Sequence, residues 1–511
     1  MYHKSPFPGL PKILESNVHH LLLNRPDQKE WPDYTLFVNV ITGQRRSFRE
    51  FVERVRDGAT ALGADMSQGG LGLRPENEEV VGILGENCLD YITLIHSLLV
   101  ITVPFVLFSF YATPYEFENA NSLAQPTRIF ASLPADRIYL LEGENEGYTS
   151  YDQLVSSVRK NGIPRIPVRH ATKDTLAYML FSSGTSGLHK VVMLSHGNIT
   201  HAVLGMMVYG IEIGKVQAPP VWNTPEGIQV VFNIVPVYHA LGLYSCSVIL
   251  SKWDINVFFD SIPKYQITNL LLVPSLVHQI IYHPRFKTGD LSSVKTITCA
   301  AAYLPSQLSE QLRARFPDIE TVDGGFGLSE SAAAVSLTLI PGMLNGHAKS
   351  KPGSSEILLP GTEARIVRPD GSLAGPNEAG ELHIRSNATA LGYKGNDNAT
   401  RETFVDGWLR TGDRIRIDND GDTLKVSGMQ VAPVEIENTL LAQQDKLITD
   451  VTVAGVSGGR TSDERILRAA LGEKEVVARL DAWVQERLSR YKWLRGGIGI
   501  VAAANVFLFL F

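Results

Sequence analysis

Residues 176–199 read "LAYMLFSSGTSGLHKVVMLSHGNI". An apolar run ending at Phe181 leads into six consecutive Ser, Thr or Gly residues, Ser182–Gly187, and then to Lys190. Gly184 and Gly187 let the backbone bend through positive φ, so amide groups and the hydroxyls of Ser182, Ser183, Thr185 and Ser186 can converge on phosphate oxygens. Lys190 supplies the matching positive charge. The spacing is not that of a Walker loop, because the lysine comes three residues after Gly187 and no hydroxyl follows it. A Ser/Gly-rich stretch on its own is more often a plain loop; here the preceding strand-like run favours anion binding.

The rest of the chain bounds what such a loop could serve. With 511 residues, two or more domains are expected, each able to bury its own core. Hydrophobic residues make up 44% and charged residues 20%, the composition of a globular protein. The 47 basic and 53 acidic side chains leave a net charge of −6, and no Lys/Arg block suited to nucleic-acid phosphates occurs, so nucleic acid is not an expected partner. Cys88, Cys246 and Cys299 lie far apart and suggest neither a disulfide framework nor a CxxC metal site. A cytoplasmic location and no secretory signal are expected. Hydropathy alone reads Tyr91–Ala112, "YITLIHSLLVITVPFVLFSFYA", as a membrane span. His96, Ser97 and Pro104 interrupt it, and a buried helix feeding a buried parallel strand gives the same profile, so no stable membrane insertion is expected.

Helical spacing over residues 46–64 precedes the short β-branched run "EVVGILGEN" at 79–87. The pattern recurs in "GIQVVFNIVPVYH", "ITNLLLVPS" and "SVKTITCAAA". Strands apolar throughout, alternating with helices, predict parallel sheets covered on both faces. From about Gly353 the strands shorten and turns such as "PDG" and "PNEAG" multiply, which predicts a β-rich lobe. A second boundary is expected after Asp413. The fold class is therefore α/β: a large domain, residues 1–413, of layered parallel sheets with helices plus the β-rich lobe, and a small α+β domain, residues 414–511.

The loop resembles the phosphate-binding signature of the adenylate-forming (AMP-binding) superfamily, [ST]-S-G-T-[ST]-G-x-P-K-G, whose members include acyl-CoA synthetases and 4-coumarate-CoA ligases. Further segments resemble that family in order: "PVYHALG" (236–242), "CAAAYLPSQL" (299–308), "GGFGLSES" (324–331), "GELHIRS" (380–386), "GWLRTGD" (407–413) and "VSGMQVAPVEIEN" (426–438). The resemblance implies an acid–thiol ligase that uses ATP and Mg²⁺ to convert an aryl or fatty carboxylic acid to an acyl-adenylate and then passes the acyl group to CoA. It implies that Ser182, Ser183, Gly184, Thr185, Ser186, Gly187 and Lys190 hold phosphates and that Glu330 ligates Mg²⁺. Ser329 and Phe326 would contact the nucleotide, Phe326 by stacking on adenine. Asp413 would accept both ribose hydroxyls, and His239 would stand beside the acyl tunnel. Each also has a plainer reading: Phe326 and His239 as core residues, Glu330 as a surface carboxylate.

Several positions depart from the family pattern. The Pro-Lys-Gly of the loop reads His189-Lys190-Val191. The ribose-binding arginine and hinge after the T-G-D segment have no counterpart in "GDRIRIDNDGDTLKVSGM", and Arg414 does not replace that arginine. The segment "GGRTSDERILRAALGEKEVVARL" is shorter than its strand-containing equivalent, and "AAANVFLFLF" stands where a terminal lysine motif is expected. The tail Gly496–Phe511 reads as a mistranslated or displaced buried strand and not as an anchor. The alternative function is a catalytically impaired nucleotide- or acyl-binding protein, or the product of a mis-spliced gene.

Overall fold

The computed structural model describes residues 2–12, 15–132, 138–182, 190–218, 221–234, 248–299, 306–316, 322–323, 325–346, 357–417, 423–425, 440, 454–457, 465–470, 474–487 and 498–499. The opening stretch sits in a seven-stranded sheet. Its order is Gly392–Tyr393, Lys190–Ser195, Leu176–Ser182, Phe105–Phe108, Val81–Leu84, Arg128–Ala131, Ile138–Leu140. The last five run parallel, as the unbroken apolar runs predict. Lys190–Ser195 returns antiparallel to Leu176–Ser182, and Gly392–Tyr393 is antiparallel to it in turn.

A second sheet has Val322–Asp323, Thr296–Cys299, Asn269–Leu272, Val231–Asn233, Val248–Ile249 and Thr35–Asn39 in parallel order, edged by the antiparallel Arg45–Ser47. Three of its strands lie within the apolar runs singled out in the sequence. The lobe is antiparallel throughout. Tyr2–Lys4, Glu363–Val367, Gly380–Arg385, Trp408–Ile417 and Phe404–Val405 follow one another, and Thr423–Lys425 pairs with Trp408–Ile417. The boundary expected after Asp413 falls inside the strand Trp408–Ile417, whose Ile415 pairs with Gly380 on one side and Lys425 on the other.

The Tyr91–Ala112 stretch is a helix, Leu89–Val100, followed by the parallel strand Phe105–Phe108. Both are buried at the centre of the largest apolar cluster. The Cys88 Sγ accepts the Tyr91 amide at 3.3 Å and caps the helix. Beside it Arg46, 2% exposed, donates to the Leu89 carbonyl at 3.0 Å and the Thr93 hydroxyl at 2.7 Å and pairs with Asp90 at 2.9 Å. The carbonyl, hydroxyl and carboxylate oxygens around it offset the cost of burying this cation, although its Nε finds no hydrogen-bond partner among the described residues. Among the described residues, the helix long and apolar enough to cross a membrane is instead His196–Val216. Its Met206, Met207 and Ile211 are exposed.

Two expectations near the end of the chain meet the structure directly. The segment read as shorter than its strand-containing equivalent carries a strand, Arg465–Ala470, antiparallel to Ala454–Ser457. The tail contributes Ile498–Gly499, which pairs parallel with Ala469–Ala470. The helix Lys474–Arg487 follows the first of these, and the Thr113 hydroxyl donates to the Arg487 carbonyl at 2.6 Å. "GMQVAPVEIENTLL" lies outside the described residues apart from Leu440.

Three interior histidines, His19 and His196 buried and His96 partly so, make stability depend on acid. Burial holds His96 and His196 down to about 4; burial, together with neighbouring cationic groups, holds His19 to about 3. All lie below the ordinary 6.5, so between pH 6.5 and about 4 the unfolded chain takes up protons that the folded chain refuses. Stability therefore falls as pH drops through that window and is unaffected by these groups above it. For His96 the loss is on the order of 3 kcal/mol. His96→Gln is expected to shrink the shift in urea midpoint between pH 7 and pH 4.5; an unchanged shift would show that His96 does not carry it.

Candidate functional site

Ser182 ends one strand of the hairpin and Lys190 begins the other, and the two are register partners. The Ser/Gly loop therefore springs from a cross-strand hydroxyl–ammonium pair and not from a strand-to-helix turn. Ser182 Oγ is buried and has no hydrogen-bond partner among the described residues. Ser183, Gly184, Thr185, Ser186 and Gly187 lie outside the described residues, as do His239 and Gly324.

Lys190 Nζ stands 4.8 Å from the centroid of the Tyr393 ring. The Tyr393 hydroxyl donates to Glu330 Oε1 at 2.9 Å. Glu330, only 8% exposed, sits in the 3-10 turn Ser329–Ser331 that follows the strand Gly325–Leu328. The turn is closed by Ala332 at φ 58°, and the Glu330 carbonyl accepts the Ala390 amide at 2.8 Å. Burial, then the charge of Glu330, pushes the Tyr393 hydroxyl well above its ordinary 10, so it stays a proton donor at neutral pH. The structure thus joins the sequence-identified Lys190 and Glu330 through a tyrosine that no quoted motif contains.

The segment carrying Tyr393 is fixed from both ends. The helix His196–Val216 starts with a capping box in which Ser195 and Asn198 exchange side-chain and backbone bonds at 2.9 and 3.1 Å. The Asn198 amide then donates to the carbonyls of Asn387 and Thr389 at 2.9 and 2.8 Å. Beyond them Gly392 adopts φ 137°, and a Cβ there would lie 2.7 Å from the Thr400 methyl. Only glycine fits that backbone and that gap.

Asp413 is half-exposed on Trp408–Ile417. Arg410 pairs with His383 and Arg414 with Glu381, so Thr411, Gly412 and Asp413 together face the single Leu382. This bulge, with Gly412 at φ 73°, lifts the T-G-D segment out of the ladder. The Thr411 hydroxyl donates to the Leu382 carbonyl at 2.8 Å and accepts the Asp413 amide at 3.0 Å, which sets the backbone from which the carboxylate projects. Phe326 is 8% exposed and packs in the lobe core with Val335, Leu358, Leu382 and Leu409.

Among the described residues no group of three or more His, Cys, Asp or Glu side chains could hold a metal ion. A lone carboxylate such as Glu330 suits Mg²⁺ in another way, because that ion keeps its waters and takes one or two carboxylates beside substrate phosphates.

The family model described as AMP-binding enzyme matches residues 25–394. The chain belongs to the AMP-binding enzyme family. Among relatives in that family, acyl-CoA ligase gloD of Glarea lozoyensis is 31% identical over 65% of this chain and 61% of its own length. Acyl-CoA synthetase 7 of Caenorhabditis elegans is 29% identical over 63% and 61%. The match thus spans about three-fifths of the length of these two relatives. A probable 4-coumarate–CoA ligase of Dictyostelium discoideum is 27% identical over 98% of this chain and 95% of its own. The fold is similar to that of a double mutant of o-succinylbenzoate CoA synthetase from Bacillus subtilis, with TM-score 0.71 at 18% identity over 94% of this chain and 93% of that one. It is also similar to a long-chain-fatty-acid–CoA ligase of Archaeoglobus fulgidus, with TM-score 0.69 at 19% identity over 95% and 98%. Both parallel sheets and the lobe thus belong to the adenylate-forming architecture.

Gly392 offers a direct check on the site's backbone. Gly392→Ala is expected to cost about 2 kcal/mol from the unfavourable φ alone, and more from the clash with Thr400. Gly395, at φ 65° with open space around it, should tolerate alanine better. Urea midpoints of the two variants measure the difference; equal midpoints would mean that the Thr400 contact does not constrain the turn.

Proposed function

We propose that this chain activates a small carboxylic acid with ATP and transfers the acyl group to CoA. The carboxylate oxygen attacks the α-phosphorus, an acyl–phosphate bond forms, the α–β anhydride breaks and pyrophosphate leaves. The CoA sulfur, having lost its proton to solvent, then attacks the acyl carbon, and AMP leaves with the bonding electrons. The observation that carries this reading is the Lys190–Tyr393–Glu330 constellation at the base of the Ser/Gly loop, in a fold shared with CoA ligases.

Residue roles rest on chemistry. Ser182–Gly187 and Lys190 are assigned to the phosphates: the Ser182 hydroxyl, without a partner among the described residues, supports this, since a phosphate oxygen would satisfy it. Glu330 is assigned to Mg²⁺, which when bound offsets the negative charge of the phosphates. Asp413, held on its bulge, is assigned to the ribose hydroxyls, which need an acceptor-only group. Ser329 and Phe326 are assigned to the nucleotide side of the lobe and His239 to the acyl path. The division into residues 1–413 and 414–511 is kept, with the strand Trp408–Ile417 running across it. The acid is of the aryl or fatty class. A cytoplasmic setting without membrane insertion accompanies the reading; the buried placement of Leu89–Val100 supports it.

With ATP, Mg²⁺ and a panel of aryl and fatty acids, pyrophosphate release is expected for at least one acid, followed by thioester when CoA is added. Removing a charge that meets the phosphates should cost roughly 10²–10³ in rate, so Lys190→Ala should lose activity on that scale. Absence of acid-dependent pyrophosphate release across the panel would sink the reading. So would equal ATP affinity, by calorimetry, for the wild type and a variant with Thr185, Glu330 and Asp413 all changed to alanine.

A further inference from the structure

Tyr393 touches two groups of opposite charge that do not touch each other. Its hydroxyl meets Glu330 Oε1 at 2.9 Å, while Lys190 Nζ lies over its ring at 4.8 Å. No ion pair within 4 Å joins Lys190 to Glu330 among the described residues. The Tyr393 amide donates to the Thr400 hydroxyl at 3.0 Å. The Phe404 ring packs against Tyr393 at 67° and 5.5 Å. The tyrosine is therefore clamped on its backbone, its ring and its oxygen.

We infer that Tyr393 is a positioning residue for nucleotide binding, whose hydroxyl fixes the Glu330 carboxylate for a divalent cation and whose ring keeps Lys190 apart from that carboxylate for the phosphates. This rests on the site reading above. A lysine and a buried glutamate left adjacent would collapse into a salt bridge and neutralise one another. An aromatic face holds the ammonium by its quadrupole without supplying a countercharge, and a phenol O–H holds the carboxylate without neutralising it. A tyrosine does both at once. Phenylalanine keeps only the first function and leucine neither.

The test is calorimetry of ATP binding to the full chain, once in EDTA and once with excess Mg²⁺, with thermal midpoints recorded separately. Tyr393→Phe is expected to leave affinity in EDTA within about twofold and to weaken it about tenfold with Mg²⁺, the scale of one hydrogen bond to a charged group. Tyr393→Leu should weaken binding in both conditions, by about threefold or more in EDTA through Lys190. A Tyr393→Phe affinity equal to wild type with Mg²⁺, or reduced by the same factor in both conditions, overturns the inference, since a purely structural role gives the latter. Should Tyr393→Phe fail to fold, Tyr393→Leu decides alone: its loss is expected to be larger with Mg²⁺ than in EDTA, and an equal loss in both conditions overturns the inference. Glu330→Gln and Lys190→Ala separate the two levels. If both leave ATP affinity unchanged, the site reading falls and this inference with it. If they weaken binding while Tyr393→Phe does not, only the role of Tyr393 is wrong.

Discussion

A carboxylate taken out of water must find a donor, and for Glu330 that donor is the Tyr393 hydroxyl. The two residues are 63 apart in sequence, and the chain between them builds two strands of the lobe before it comes back. Strands Glu363–Val367 and Gly380–Arg385 pair first, then Gly392–Tyr393 joins the edge of the seven-stranded sheet beside Lys190–Ser195. That short strand covers the outer edge of the loop's own hairpin, which would otherwise present unpaired backbone groups. One hydrogen bond thus depends on the register between lobe and sheet, and the Asn198 amide, holding Asn387 and Thr389, sets that register.

The same region shows how charge is kept usable inside a protein. Arg46 and Asp90 are also buried, but they lie in direct contact and serve packing around Leu89–Val100. Lys190 and Glu330 are kept from each other by a ring, so neither spends its charge on the other. The difference lies in what stands between the charges, and Lys190, unlike Arg46, is only partly buried. An ion pair stabilises a fold, whereas separated charges of opposite sign suit a substrate that carries both phosphate and a cation.

Much of the architecture was legible because parallel strands are apolar on both faces, and Phe105–Phe108, Asn269–Leu272 and Thr296–Cys299 all announce themselves that way. The direction of Lys190–Ser195 was also written in the sequence, though in a different feature. Seven residues separate Ser182 from Lys190, too few for a parallel crossover, which takes about a dozen or more. A hairpin was the one solution. Glu330 and Asp413 were singled out through the segments around them. Tyr393 was not, because its meaning comes from two residues about 60 and 200 positions away. The strand Arg465–Ala470 escaped notice for the opposite reason: its two arginines break the apolar run that marks a core strand, yet an antiparallel partner is enough to hold it.

The T-G-D bulge links the site to the terminal segments. Asp413 projects where three residues face one, and the strand resumes its ladder at Arg414 and continues to Ile417, with Thr423–Lys425 paired alongside. The backbone just past Asp413 is therefore as firmly tied to the lobe as the backbone before it. Turning the chain at Asp413 would break the pairing of Ile415 with Gly380 and Lys425 at once. The far end is tied as well: the Arg487 carbonyl accepts the Thr113 hydroxyl, which also caps the helix Pro114–Ala124 through Glu116. Any rotation of the terminal segments must release that bond, and because Thr113 retains the Glu116 amide as a partner, the release leaves the helix cap in place.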